Sequence, residues 1–394
     1  MRVAMVSFYY DENIKTEEAF LEQQYTITGW AEALQKRGVE VIVVSRFHQE
    51  RAFTLNGVQY IFCKDKLGGT FRSWQIPYQL LKKISAINPD VVHLHHLTLS
   101  LQTFLLRLLL NKYAAIIIQH HGGKAPPKLK RFIHNSIHRV ADGFFFTTVE
   151  QGKEWFTGSK QYMDVLPVME GTTFFNYSDR DRTRATGYSI RDESQKITGM
   201  HGSPVFLWVG RLDVNKDPVT ILNGFETLLP DFPGAMLYMI FSDDRLIDEV
   251  KRKCENNVRL QSHVLLLGKV PHDEIEMYYN SADYFVLGSH YEGSGYALSE
   301  ALRCGCVPIV TDIPSFRMMT DHGKLGALWH AGDAGSFAAA IKVAMRKPLT
   351  EEGRRCIEFY HKTLSFDAIA EKAILHYEKV ILEKRRSATA LTNA

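Results

Sequence analysis

Cysteine is scarce in this chain. There are five (Cys63, Cys254, Cys304, Cys306 and Cys356) in 394 residues, an odd number, which excludes a secreted disulfide framework and points to a reducing compartment. Excess charge of either sign is also missing: 47 basic residues face 44 acidic ones, a net +3. That balance argues against a dedicated nucleic-acid binder and against an acidic disordered chain. With 27 Gly and 13 Pro there is no collagenous or low-complexity character. No apolar run is long enough to span a bilayer: residues 97–110, the longest, are interrupted by Gln102 and Arg107 and fall short of the roughly 18–20 residues required. The apolar start, 1–10, is short and meets Asp11 and Glu12 at once, unlike a signal peptide, so a cytoplasmic protein is expected. No Gly-x-Gly-x-x-Gly follows a strand, which sets aside a dinucleotide oxidoreductase.

What is present is a repeated alternation of short β-branched runs and amphipathic helices. Strands are expected at 2–8, 39–45, 91–95, 114–119 and 143–147, with helices at 25–36 (Gly38 as its C′ residue), 77–87 and 128–140. Continuous apolar strands between helices mean a parallel sheet covered on both faces. Residues 176–204 turn polar and rich in Arg, Asp, Ser, Thr and Gly, as a linker would. The pattern then restarts, with strands at 205–209, 236–241, 264–267, 284–287 and 307–311 and a terminal helix over 366–384, ahead of a polar tail expected to be disordered. The fold class is therefore α/β, with two Rossmann-like doubly wound domains at 1–180 and 200–365, followed by 366–394.

Two segments of the second half carry chemistry. In VFLWVGRLDVNKDPVTIL (205–222) a strand ends at Gly210, and Arg211 and Lys216 precede a helix with Asp217 as N-cap and Pro218 at N1. Two cations beside a helix N-terminus suit a diphosphate. In YFVLGSHYEGSGYALSEALRCGCVPIV (284–310), Glu292 and Glu300 flank the turn Gly293-Ser294-Gly295 in an E-x7-E spacing. The turn can offer backbone N–H groups to oxygen ligands, and Glu300 can accept two hydroxyl hydrogen bonds, as a ribose diol requires. Asp243-Asp244 reads as a turn and helix cap, and Cys304-x-Cys306 as packing in a helix-to-strand turn, in preference to metal ligands.

GRLDVNKDP, VLLLGKVPHDEIEMYYNSADYFVLGSHYEG, EGSGYALSEALRCGCVPIV and, in the first half, IIIQHHGG together resemble the GT-B-fold retaining glycosyltransferases of family 4. That resemblance implies two domains facing across a cleft, with the C-terminal helix crossing back to the first. It implies a nucleotide-diphosphate sugar as co-substrate, a saccharide or lipid-linked acceptor, and neither a metal nor any other cofactor. Carried over, Arg211 and Lys216 bind the donor diphosphate, Glu300 the ribose, and Ser294, Gly295 and Tyr296 sugar and phosphate oxygens. Gly268, Lys269 and Val270 flank the base, Glu292 faces the transferred sugar, and His121 lies near its reacting centre. Catalysis would rest on His121, Glu292, Arg211 and Lys216, mainly through electrostatic stabilisation of the departing diphosphate.

One departure stands out. Residues 7–28 contain no glycine where the family carries a Gly-Gly pair, and hold five acidic residues instead. Glu17 and Glu18 of that loop, with His95 and His120, are the acceptor-side candidates. Other GT-B chemistry (a sugar-nucleotide epimerase or hydrolase) and a non-catalytic saccharide- or lipid-binding module are the alternatives.

A last feature lies outside these motifs. From Val91 to Ala141 there is no Asp or Glu, against seven cations: Arg107, Lys112, Lys124, Lys128, Lys130, Arg131 and Arg139. The helix near 128–140 gathers Leu129, Phe132, Ile133, Ile137 and Val140 on one face. Either that face packs on the core and the solvent side is basic, or the region 107–140 meets an anionic membrane surface. Nucleic acid is not expected as a partner. His93, His95 and His96 lack acidic or thiol companions and read as packing or hydrogen-bonding groups.

Overall fold

The computed structural model describes residues 1–67, 72–159, 165–168 and 189–392, with side chains as far as 386. The chain divides into two compact units, Met1–Thr172 with Ser365–Ala394, and Thr173–Leu364. The first is built on strands β1 (Arg2–Ser7), β2 (Glu40–Arg46), β3 (Arg51–Leu55), β4 (Val58–Cys63), β5 (Val91–Leu94), β6 (Ala115–Gln119), β7 (Gly143–Phe146) and β8 (Val165–Pro167). They form one sheet in the order β3-β4-β2-β1-β5-β6-β7-β8. The second unit is built on β9 (Val205–Gly210), β10 (Met236–Phe241), β11 (Val264–Gly268), β12 (Tyr284–Leu287), β13 (Val307–Thr311) and β14 (Ala327–Trp329), in the order β11-β10-β9-β12-β13-β14. The expected pair of doubly wound α/β units is present.

All pairings are parallel except β3 with β4. This hairpin was not anticipated, although its turn is legible in the sequence. Leu55 pairs with Val58 across Asn56-Gly57, both at positive φ (50° and 80°), the type I′ turn that Asn-Gly favours. An antiparallel edge strand on an otherwise parallel sheet is a common variation. The short edge strands β8 and β14 also escaped the sequence reading, since three residues leave no periodicity to detect.

Why the first sheet is buried on both faces follows from its period of two. Val3 and Met5 of β1 join one apolar cluster, with Trp30, Ala31 and Leu34 of the helix Tyr25–Lys36 and Ile369, Ala370, Ala373 and Tyr377 of the helix Phe366–Thr392. Ala4 and Val6 join the other, with Leu80, Leu81 and Ile84 of the helix Tyr78–Ala86 and Leu106 of the helix Ser100–Leu109. The terminal helix thus belongs to the first unit. It continues through Thr392, where a disordered tail from Arg385 was expected; Arg, Ala and Leu in that tail are good helix formers.

The polar stretch read as a linker is structured where it is described. Residues 176–188 lie outside the described residues, but Ile190–Thr198 is a helix of the second unit. It opens on a Ser189/Asp192 capping box and closes on Gly199 in the left-handed conformation. Arg191 pairs with the buried Asp283, tying this helix to the sheet.

Within the apolar contact of the terminal helix, the Tyr377 hydroxyl is hydrogen-bonded to His93 Nδ1 at 2.7 Å, both residues being buried. Tyr377→Phe leaves the imidazole nitrogen in the core without that partner. The expected outcome is a loss of about 1–3 kcal/mol in urea unfolding with the folded spectrum unchanged; stability equal to wild type would show the bond contributes nothing.

Candidate functional site

In the second unit, chain order reverses direction between β9 and β12, and ligands of open α/β sheets bind beyond the carboxyl ends of strands at such a switch. The loops that follow β9 and β12 are stitched together there. His290 N donates to Asn215 O at 2.8 Å, and Asn215 Nδ2 to Tyr291 O at 3.0 Å. His290 Nε2 lies 3.2 Å from Asp217 Oδ2. Asp217, at φ 45°, caps the helix Pro218–Leu228 through Thr220 N, as expected. Gly288 is required by this junction: a Cβ there would lie 3.0 Å from Asp217 O and 3.1 Å from Lys216 O.

Lys216 and Glu292 form an ion pair with both side chains nearly buried, at 13% and 12% exposure. Glu292 Oε1 also accepts from Ser289 Oγ at 2.6 Å. Arg211, directly after β9, is more than half exposed and lies 3.4 Å from the buried Asp213 carboxylate. Asp213, which the sequence reading did not single out, holds this loop together. Its Oδ1 accepts from Lys216 N at 2.9 Å and its Oδ2 from Arg245 at 3.0 Å, so one carboxylate organises the loop and two guanidinium groups. Asp243 is engaged by Arg245, which holds its carboxyl below the usual range. Among the described residues no group of three or more His, Cys, Asp or Glu is arranged to hold a metal.

Glu300 sits in the helix Tyr296–Arg303, 5% exposed. Its two oxygens are taken by side chains that the sequence did not single out: Oε1 lies 3.0 Å from His272 Nε2, and Oε2 accepts from the Tyr279 hydroxyl at 3.0 Å. Burial and the adjacent carboxylate drive the Tyr279 phenol well above its ordinary pKa, so it stays a donor. His272 follows the turn Gly268-Lys269-Val270 by two residues, and this contact connects that turn to Glu300. Gly268 adopts φ 75°, and Lys269 is exposed. Gly295 begins the helix at φ 63° with no side-chain cap; a Cβ on it would meet Met319 Sδ at 2.8 Å. Ser294 beside it is buried and Tyr296 is 37% exposed. Cys304 and Cys306 are buried thiols, and Cys306 Sγ donates to Tyr279 O at 2.8 Å.

In the first unit a column of imidazoles runs from His93 within β5 to the loops after β5 and β6. His93 stacks on His95 with centroids 4.5 Å apart, His95 stacks on His121 at 5.2 Å, and His95 Nδ1 is 3.2 Å from His121 Nε2. His95 and His120 are buried, the latter with its ring against Phe146 and Trp155 and Nε2 3.1 Å from Gly123 O. Of the histidines proposed for the acceptor side, neither presents its ring to solvent; His121, half-buried, is the one at the rim. Glu17 is ion-paired with Arg51 of β3, while Glu18 is exposed in the same helix, Glu17–Gln23. At about 4.8 Å per strand, β3 and β6 are some 24 Å apart, so these carboxylates are not gathered with the histidines.

Two family profiles match this chain: "Glycosyl transferases group 1" over residues 190–362 and "Glycosyltransferase Family 4" over 23–154. The chain belongs to the family 4, group 1 glycosyltransferases, with the GT-B pair of α/β units. It is 26% identical over 239 residues to a GDP-mannose:cellobiosyl-diphosphopolyprenol alpha-mannosyltransferase of Xanthomonas campestris, covering 60% of this chain and 59% of that protein. It is 29% identical over 172 residues to a UDP-Gal:alpha-D-GlcNAc-diphosphoundecaprenol alpha-1,3-galactosyltransferase of Escherichia coli, covering 42% and 43%. The matches thus span about half the length of these curated relatives. Among solved structures, Anabaena HepE in complex with UDP superposes with a TM-score of 0.70 over 96% of this chain and 100% of that one, at 11% identity, a likeness of fold.

Burial lowers the pKa of His93 to about 3 and of His96 and His376 to about 4, with neighbouring cations and imidazoles adding to the effect. Unfolding returns each to an ordinary value near 6.5, so the unfolded chain binds more protons and stability falls as pH drops from about 6.5 towards 4. Each histidine contributes on the order of 1 kcal/mol per pH unit in that window. Urea midpoints at pH 7 and pH 5 test this, and equal midpoints would refute it.

Proposed function

We propose that this protein transfers a glycosyl residue from a nucleotide-diphosphate sugar to a saccharide or lipid-linked acceptor, with retention of anomeric configuration and without a metal. The observation that carries the reading is the nearly buried Lys216–Glu292 ion pair, which joins the loops after β9 and β12 at the switch point of the second sheet, with Arg211 in the first of these loops and Glu300 in the helix that follows the second. The names of these relatives, which pair GDP-mannose or UDP-Gal with a sugar diphosphate on a polyprenol, support a nucleotide-sugar donor and a lipid-linked acceptor.

The chemistry follows from charge. The bond between the anomeric carbon and the diphosphate oxygen breaks, an acceptor oxygen bonds to the same face of that carbon, and the acceptor proton passes to the departing phosphate. Negative charge grows on the diphosphate, and Arg211 and Lys216 are the cations fixed beside it, supplying what a divalent ion would otherwise supply. Lys216 is already paired with Glu292, so a bound diphosphate shares that ammonium with the carboxylate, and Glu292 is held facing the same place. Glu300, oriented by His272 and Tyr279, keeps lone pairs for the ribose hydroxyls: each carboxylate oxygen has two and gives up one. His121, 3.2 Å from His95, is the proposed catalytic residue of the first unit.

Thermal shift and turnover with UDP-, GDP- and ADP-sugars test this reading. One nucleotide class is expected to raise the melting temperature of the wild type. Arg211→Ala and Glu300→Ala should weaken that donor by about ten- to a hundredfold, the cost of a lost charged hydrogen bond. Turnover should persist in EDTA. No shift with any of the three classes would overturn the proposal.

A further inference from the structure

The helix Lys128–His138 sits the reverse way round from an ordinary surface helix. Its two buried histidines face inward: His138 Nε2 lies 2.6 Å from Leu97 O, and His134 is hydrogen-bonded to Ser100 Oγ. Three apolar residues face outward, Leu129 at 76%, Phe132 at 70% and Ile133 at 52% exposure, while Ile137 is half-buried. At 100° per residue these three lie within about 100° of one another and opposite His134 and His138, a single stripe. The helix Ser100–Leu109, packed beside it, exposes Phe104 and Leu108 one turn apart. Core packing is thus not what this amphipathic face is for.

The surrounding charge says what covers it. Lys128 and Lys130 lie on either side of Leu129, and no carboxylate occurs from Val91 to Ala141. Two cations of the region are spent internally: Arg107 on the main chain of Asn111 and Ala114, Arg131 on Glu154 O. The lysines flanking the stripe are exposed. Protein interfaces are depleted in lysine at an apolar core, whereas a bilayer takes both at once: apolar side chains at the acyl boundary and lysines reaching up to anionic headgroups.

We infer that the outer face of the helix Lys128–His138, with Phe104 and Leu108 beside it, is a docking surface for an anionic lipid bilayer, on which the helix lies in plane. The inference adds a partner to the reading above and does not depend on the transfer reaction.

Flotation of the full chain with phosphatidylglycerol-containing vesicles, without donor or acceptor, is the test. The wild type is expected to float, less so as salt rises, and to ignore pure phosphatidylcholine. Lys128→Gln with Lys130→Gln should weaken binding about thirty-fold, from roughly 1 kcal/mol per lysine. Phe132→Ser with Ile133→Ser should abolish it even at low salt, with an unchanged melting temperature because both positions are exposed. Binding to phosphatidylcholine undiminished, retention of binding by the Phe132/Ile133 variant, or a dimer of the wild type that these substitutions dissociate would overturn the proposal. Flotation without transfer, or transfer without flotation, separates its fate from that of the enzymatic reading.

Discussion

The Lys216–Glu292 pair is the constraint on which the second unit's site depends. Two opposite charges nearly removed from water are tolerable only if they meet each other and further hydrogen-bond partners. Here the partners come from two loops, after β9 and after β12, which are adjacent only because the chain reverses its strand order between them. The rest of the junction serves that meeting. Ser289 supports Glu292, Asp213 fixes the main chain of Lys216, and Gly288 makes room for the backbone of the opposing loop. The result is a preorganised cation whose counter-ion is built in. Under the proposed function, a diphosphate arriving there would find the ammonium already positioned.

Glu300 is held by a related device with different chemistry. A buried phenol and a histidine engage its two oxygens, and the phenol's pKa is pushed up by the same burial that makes its hydrogen bond worthwhile. The histidine also links the turn after β11 to the helix that bears Glu300. Elements distant in the sheet order are therefore coupled by one hydrogen bond, not by packing alone.

The first unit shows how little a helical wheel decides by itself. The apolar face of Leu129, Phe132, Ile133, Ile137 and Val140 was legible in the sequence, and so was the basic flank; in the structure the first three are exposed and the last two half-buried. Which way that face points was not legible, because a histidine face and an apolar face can each find partners in a core. Neutral imidazoles lose little on burial when a carbonyl or hydroxyl meets them, and Leu97 O and Ser100 Oγ do so. That local satisfaction releases the apolar face to the surface.

Much of the molecule was nonetheless readable before folding. Continuous apolar strands between helices determined the two α/β units, and cations, carboxylates and glycines at strand ends determined the candidate donor residues Arg211, Lys216, Glu292 and Glu300. The hairpin at Asn56-Gly57 was also written in plain turn chemistry, though only the paired strands make it evident. Tertiary structure alone decided the pairing of Lys216 with Glu292, the engagement of Glu300 by His272 and Tyr279, the burial of His95 and His120, and the separation of Glu17 from His121. Local sequence sets periodicity and turn type, which depend on neighbours a few residues away. Partners 76 residues apart, as Lys216 and Glu292 are, meet only through strand order. No local pattern encodes that order.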